Sequence, residues 1–171
     1  ISPDVIGTLA SKFDGLLLID EAYVDFAESN CLALVEKHAN VVVSRTLSKA
    51  YSLAGMRFGF AIAQPQVVDE MMKVKDSYNT DAISIAAATA AIADQEYAKM
   101  TWTHVKQERT RVAEELAKLG FDVLPSHANF VFAKVPGGDG KSLYRALKQM
   151  GILVRHFDSP GLSDHIRITI G

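Results

Sequence analysis

Two short apolar runs, each closing on polar residues, constrain this chain more than anything else in it. Leu16-Leu17-Leu18-Ile19 ends in Asp20, and Val41-Val42-Val43 gives way to Ser44-Arg45-Thr46-Leu47-Ser48-Lys49. Brief runs of this kind, rich in branched side chains, read as buried strands. The segment between them has helical spacing at Leu32, Leu34 and Val35, with Ser29 or Asn30 as its cap and Asn40 as its stop. A strand, a helix and a strand in that order predict a right-handed parallel unit, and hence an α/β fold. A third apolar run, Phe58 to Ala63, follows the lysine loop and predicts another buried strand. In such sheets ligands gather beyond the carboxyl ends of the strands. Asp20 and Lys49 are therefore expected to approach one another there.

Composition removes several alternatives. The 171 residues carry a formal net charge of −2, too near neutral to predict a nucleic-acid or anionic-membrane partner. Cys31 is the single cysteine, so no internal disulfide and no cysteine metal cluster is expected, and the five histidines have no metal-ligand spacing. The most apolar helical run, Ile83 to Ala93, has about half the length a membrane span needs. The chain opens on Ile1-Ser2-Pro3-Asp4 rather than on a basic segment before an apolar one, which predicts no secretory leader and a soluble cytoplasmic protein.

Other signals complete the outline. Ser2-Pro3-Asp4 predicts a helix start, and Pro65 opens another helix carrying Val67, Val68, Met71, Met72 and Val74. The break 77–81 precedes an alanine-rich helix, Ala82 to Ala93. A longer helix follows from Glu96 to Leu119, with Gly120 as its terminating residue. The texture then changes to strands Phe121–Leu124, Ala128–Val135, Ile152–Arg155 and Ile166–Ile170, with a helix from Lys141 to Met150. Residues 1–94 are expected to belong to a larger, mostly parallel α/β domain, and residues 95–171 to a smaller α+β domain that includes the linking helix.

The polar residues permit a specific chemistry. A lysine used covalently must be held in place and partly deprotonated. Pyridoxal phosphate demands such a lysine, a carboxylate for its pyridine nitrogen, and phosphate ligands. Lys49, Asp20, and the set Thr46, Ser48 and Arg57 could supply these, with Tyr23 within reach of the phenolic oxygen. Each residue alone has a plainer reading: a solvated lysine, a capping carboxylate, a rim tyrosine, half of a surface ion pair. Spacing alone does not name the cofactor.

The runs Asp20-Glu21-Ala22-Tyr23-Val24-Asp25-Phe26 and Arg45-Thr46-Leu47-Ser48-Lys49-Ala50-Tyr51-Ser52-Leu53-Ala54-Gly55-Met56-Arg57 closely resemble the signatures of the histidinol-phosphate aminotransferases. These are pyridoxal phosphate enzymes of fold type I. The resemblance continues through Ala128-Asn129-Phe130-Val131, Leu153-Val154-Arg155 and Ile166-Arg167-Ile168-Thr169-Ile170-Gly171. It implies transamination of histidinol phosphate with 2-oxoglutarate or glutamate in histidine biosynthesis, by a cytoplasmic homodimer. It also implies that Lys49 binds the cofactor covalently and carries the proton. Asp20 then pairs with the pyridine nitrogen and Tyr23 with the phenolic oxygen, while Thr46, Ser48 and Arg57 hold the phosphate. Arg167 grips the substrate's anionic end, with Arg155 as a second substrate arginine, and no metal is involved.

Members of the family are about twice this length. The resemblance therefore places the chain in the C-terminal half, from the end of the large domain through the small one. The upstream phosphate loop, the ring-stacking aromatic and an asparagine belong to the other half, so this piece alone is expected to be inactive. Related alternatives are an aromatic amino-acid aminotransferase, a decarboxylase of a phosphorylated amino acid, and an aminotransferase-like domain of a regulator that senses pyridoxal phosphate.

Overall fold

The structure is a computed structural model that describes residues 1–171. The chain divides into two compact units, Ile1–Lys99 and Met100–Gly171. No helix is long and apolar enough to cross a membrane.

The first unit is built on a three-stranded sheet. Helix α1 (Pro3–Ala10) starts where Ser2 accepts the Val5 amide at 3.5 Å, with proline at the first turn. Strand β1 (Leu17–Asp20), helix α2 (Leu32–Lys37) and strand β2 (Val41–Thr46) follow, and β1 pairs parallel with β2 from Leu17–Val41 to Asp20–Ser44. Asn30 Oδ1 accepts the Leu32 amide at the start of α2. Helix α2 ends earlier than expected, at Lys37 with His38 as its cap, and Asn40 has a different task. Its side-chain amide donates to the carbonyls of Ala10, Phe13 and Gly15 at 3.1, 2.8 and 3.1 Å, and its own carbonyl accepts the Leu17 amide. One side chain thus fixes the passage from α1 into β1. Asn40→Ala should cost about 1–3 kcal/mol, the penalty for backbone acceptors left unpaired. Urea titration of the folded protein checks this, and an unchanged midpoint would refute it.

Strand β3 (Gly59–Ile62) completes the sheet and corrects one expectation, that of its burial. It pairs antiparallel with β2, Thr46 opposite Gly59 and Val43 opposite Ile62, so the sheet is mixed and has the order β1-β2-β3. The connection 47–58 carries no crossover helix, which a parallel return needs, and the chain doubles back instead. Nor is β3 buried throughout: Gly59, Phe60 and Ala61 are exposed. A Cβ on Gly59 would stand 2.9 Å from the Arg45 carbonyl oxygen, so only glycine allows that pairing.

The core of this unit lies on one face of the sheet. Val41 and Val43 are fully buried against Ala10, Cys31, Leu34 and Val35, with Leu17, Ile19 and Ile62 packed around them. Because side chains alternate across a strand, Leu16 and Leu18 face the other way and are 63 and 64% exposed. The burial of β1 is therefore on one face, that covered by α1 and α2. The unit is completed by helices α3 (Pro65–Val74) and α4 (Ala82–Ala93). Helix α5 (Gln95–Lys118) runs across the division between the units.

The second unit is an antiparallel sheet. Strands β4 (Asp122–Leu124), β5 (Phe130–Lys134), β6 (Arg155–His156) and β7 (His165–Thr169) lie in the order β4-β5-β7-β6, with helix α6 (Gly140–Gln149) between β5 and β6 in sequence. Val131, Ala133, Val135, Ile166 and Ile170 are buried here. Helix α5 ends as expected at Gly120 (φ +85°), whose amide returns to Ala117 while that of Phe121 returns to Leu116. The same closure after α6 shortens an expected strand. Gly151 (φ +79°) bonds to Lys148 and Ile152 to Leu147, so Ile152 is consumed by the helix end and pairing begins only at Arg155.

Candidate active site

Asp20 closes β1 opposite Ser44, and Lys49 follows β2, so both leave the same edge of the parallel pair. Asp20 Oδ1 accepts the Ala22 amide at 3.0 Å, which tightens the turn that presents Tyr23. The Lys49 ammonium lies 5.7 Å from the centre of the Tyr23 ring. Thus Lys49 and Tyr23, remote in sequence, are brought together by the two strand ends.

Two of the candidate phosphate ligands, Thr46 and Ser48, are bonded to one another at the start of the same loop. Thr46 Oγ1 accepts the Ser48 amide at 3.2 Å and lies 2.9 Å from Ser48 Oγ and 3.2 Å from the Phe58 carbonyl. Between them Leu47 is 1% exposed and anchors the loop, with its amide bonded to the Phe58 carbonyl. A short 3-10 turn, Ala54–Met56, ends at Arg57, which adopts left-handed backbone angles (φ 51°, ψ 37°) and donates from Nη1 to the Ala54 carbonyl. Ser52 is left-handed as well (φ 56°). Non-glycine residues adopt this conformation only where their surroundings impose it, and such residues cluster at functional loops. A Cβ on Gly55 would meet nothing within 4 Å, so the loop is open beside Arg57.

One residue that holds this loop lies on α4. Ser84 is 2% exposed, and its hydroxyl is 2.8 Å from the Met56 carbonyl and 2.6 Å from Asp81 Oδ2, while its amide donates to Asp81 Oδ1. These bonds from Ser84 hold the Asp81 carboxyl below the usual carboxylate range. A serine three positions after an aspartate at the start of an otherwise apolar helix is a capping signal in the sequence. Its second bond, to Met56, has no sequence signal.

A partly buried ion pair joins the segments at the two strand ends. Glu21, 7% exposed, receives Arg45 Nε and Nη2 on Oε2 at 3.0 and 2.8 Å, and the Cys31 amide on Oε1 at 2.5 Å. Burial pushes the nearby Asp25 carboxyl above its ordinary range, with the Arg45 charge opposing and Glu21 adding to the rise. A raised carboxyl favours the fold at low pH, and that contribution is lost as pH rises through the raised value. Asp25→Asn should therefore raise the melting temperature at about pH 7, with the gain shrinking to nothing by about pH 3, below the carboxylate range. Melts at both pH values test this, and a lower melting temperature at neutral pH would refute it.

The second unit holds the two candidate substrate arginines. Arg155 on β6 and Arg167 on β7 are directly opposed in the antiparallel register. Like charges so placed repel, and aromatic rings stand around them in compensation. Arg167 Cζ is 5.2 Å from the Phe130 ring and 5.9 Å from Phe157, and Arg155 Cζ is 5.4 Å from Phe157. Arg167 Nε is buried without a hydrogen-bond partner. An orphaned guanidinium donor beside a second cation is suited to an anion. Phe157 escaped the sequence reading because it falls in the loop between His156 and His165, which has no periodic signal. A cavity of about 620 Å³ in this unit, against α5 and β4, contains none of these residues.

The donor set in the first unit fits a phosphorylated pyridine aldehyde. It offers an amine for the carbonyl, a carboxylate for the ring nitrogen, a phenol, and two hydroxyls with a guanidinium for a phosphate. An α/β unit carrying this set defines a class of protein, and the family model agrees. The chain belongs to the class I and II aminotransferases, whose model matches residues 3–171. It is 51% identical over 171 residues to histidinol-phosphate aminotransferase 1 of Nostoc sp., covering 100% of this chain and 48% of that one. It is 50% identical over 171 residues to the histidinol-phosphate aminotransferase of Rhodopirellula baltica, covering 100% of this chain and 47% of that one. Among solved structures it resembles histidinol-phosphate aminotransferase from Sinorhizobium meliloti in complex with pyridoxal-5'-phosphate. That match has a TM-score of 0.89 and 29% identity, over 99% of this chain and 48% of the other. The chain thus spans about half the length of the curated relatives it matches.

Proposed function

We propose that the complete protein is a histidinol-phosphate aminotransferase, exchanging an amino group between histidinol phosphate and 2-oxoglutarate in histidine biosynthesis. The approach of Lys49 to Tyr23, beside the Thr46–Ser48 hydroxyls, carries this reading. The identity of about half to the two named relatives supports the narrower substrate. In this reading residues 1–94 are the last part of the cofactor-binding domain and residues 95–171 the small domain. The working form is a cytoplasmic homodimer that needs neither nucleic acid nor a membrane.

Pyridoxal phosphate, when bound, supplies an electron sink that makes the substrate's α-proton removable. Every other task falls to side chains. Lys49 Nζ holds the cofactor and moves the proton from the substrate α-carbon. Asp20 keeps a proton on the pyridine nitrogen, and Tyr23 donates to the phenolic oxygen. Thr46, Ser48 and Arg57 neutralise and orient the phosphate, arginine because its fork matches phosphate oxygens. Arg167, with Arg155, holds the anionic end of the substrate.

The test is glutamate-dependent amine transfer by the complete protein, with imidazole acetol phosphate and with aromatic 2-oxo acids as acceptors. Preference for the phosphorylated acceptor is expected, and preference for an aromatic one would overturn the assignment. The 171 residues alone should show no turnover. Arg167→Lys keeps the charge and loses the fork, and should weaken substrate binding by about 1.5–3 kcal/mol, the size of a charge-assisted hydrogen bond. An unchanged Michaelis constant for both substrates would place Arg167 outside the site.

A further inference from the structure

The Glu21–Arg45 pair is placed where it governs the site without touching it. Glu21 follows Asp20, and Arg45 precedes Thr46, so the pair joins the two segments whose side chains meet at Tyr23 and Lys49. The clamp is fully made. The Glu21 amide donates to the Ser44 carbonyl at 2.9 Å, one carboxylate oxygen takes two bonds from Arg45, and the other takes the Cys31 amide. The side chains of Arg45 and Glu21 are only 23 and 6% exposed. The Arg45 backbone is pinned as well, since its carbonyl sits against Gly59 where a Cβ would come within 2.9 Å. Asp25 is a further carboxyl that senses this guanidinium.

Stability alone is a poor explanation for such a pair. A buried ion pair is matched or exceeded in stability by apolar residues of similar volume, because both charges must be desolvated. Two bonds from a planar fork add fixed geometry, which a flexible ammonium or an apolar contact does not. Here the geometry fixed is the spacing between the turn bearing Asp20 and Tyr23 and the loop bearing Thr46, Ser48 and Lys49.

We propose that Glu21 and Arg45 act as a positioning pair, setting where Lys49 stands relative to Tyr23 and Asp20 and thereby tuning the reactivity of Lys49. This rests on the cofactor-binding role proposed above. The experiment uses the complete, cofactor-loaded protein and the variants Arg45→Lys, Glu21→Gln and their combination. Three quantities are read: the pH midpoint of the bound cofactor's absorbance, the kcat against KM for glutamate, and the melting temperature without cofactor. Each single variant should move the absorbance midpoint by at least about half a pH unit and lower kcat roughly tenfold with KM within about twofold, since small misplacements cost rate rather than binding. The double variant should be no worse than the poorer single one, because the two residues act as one unit. Folded variants with the parental midpoint and kcat would overturn the proposal, as would a loss confined to the melting temperature. Failure of even Arg45→Lys to fold would also overturn it, by assigning the pair to the fold alone. A parental protein without cofactor absorbance would instead refute the reading of the site, and this inference with it.

Discussion

Lys49→Ala in the complete protein should lower transamination by more than about 10³-fold, the loss expected when a residue serves as both covalent anchor and proton carrier. Lys49 is the lysine that the structure sets over the Tyr23 ring, at the open side of a loop pinned by Leu47 and by Ser84. Borohydride reduction of the loaded protein, followed by peptide mapping, gives an independent measurement. The pyridoxyl group should be found on the peptide containing Lys49. A label on any other lysine, or a Lys49→Ala protein that still turns over at the parental rate, would end the assignment.

Asp20→Ala should cost roughly two orders of magnitude in kcat, comparable to deleting one preorganised electrostatic element from an active site. Asp20→Asn isolates the charge. It keeps an oxygen that can accept the Ala22 amide, the bond that shapes the turn, but it cannot hold a proton on the pyridine nitrogen. If the two variants lose activity alike, charge is the cause. If Asp20→Asn is near normal and Asp20→Ala is not, the residue shapes the turn and does no more. Steady-state rates with saturating cofactor decide between them.

What the sequence made legible, and what it hid, follows from the range of the forces involved. Helix α4 runs from Ala82 to Ala93 as expected, because its limits are set by Asp81 at one end and Asp94 at the other. Gly120 and Pro65 mark helix ends for equally local reasons. Strand β3 was mistaken for a strand buried throughout because an apolar run does not reveal what lies across it. Exposure of Phe60 is a property of the neighbours it lacks within this chain. The candidate residues of the lysine loop were readable because they are close in sequence. Their supports were not: Arg45 and Glu21 are twenty-four residues apart and Ser84 and Met56 twenty-eight. Phe157, which flanks Arg167 together with Phe130, was likewise silent, because it lies just beyond β6 in a loop with no periodic signal.

The left-handed backbone at Arg57 has a consequence for anyone who evolves this protein in the laboratory. Any side chain at that position carries a conformational cost of about 1 kcal/mol or more that glycine does not. A library screened for heat resistance or expression yield would therefore enrich glycine at position 57 and discard the guanidinium with it. Such a screen would report success at the moment the proposed phosphate ligand was lost. If Arg57 holds the phosphate as proposed, stability and turnover pull in opposite directions at this one residue, and selection for either must be checked against the other.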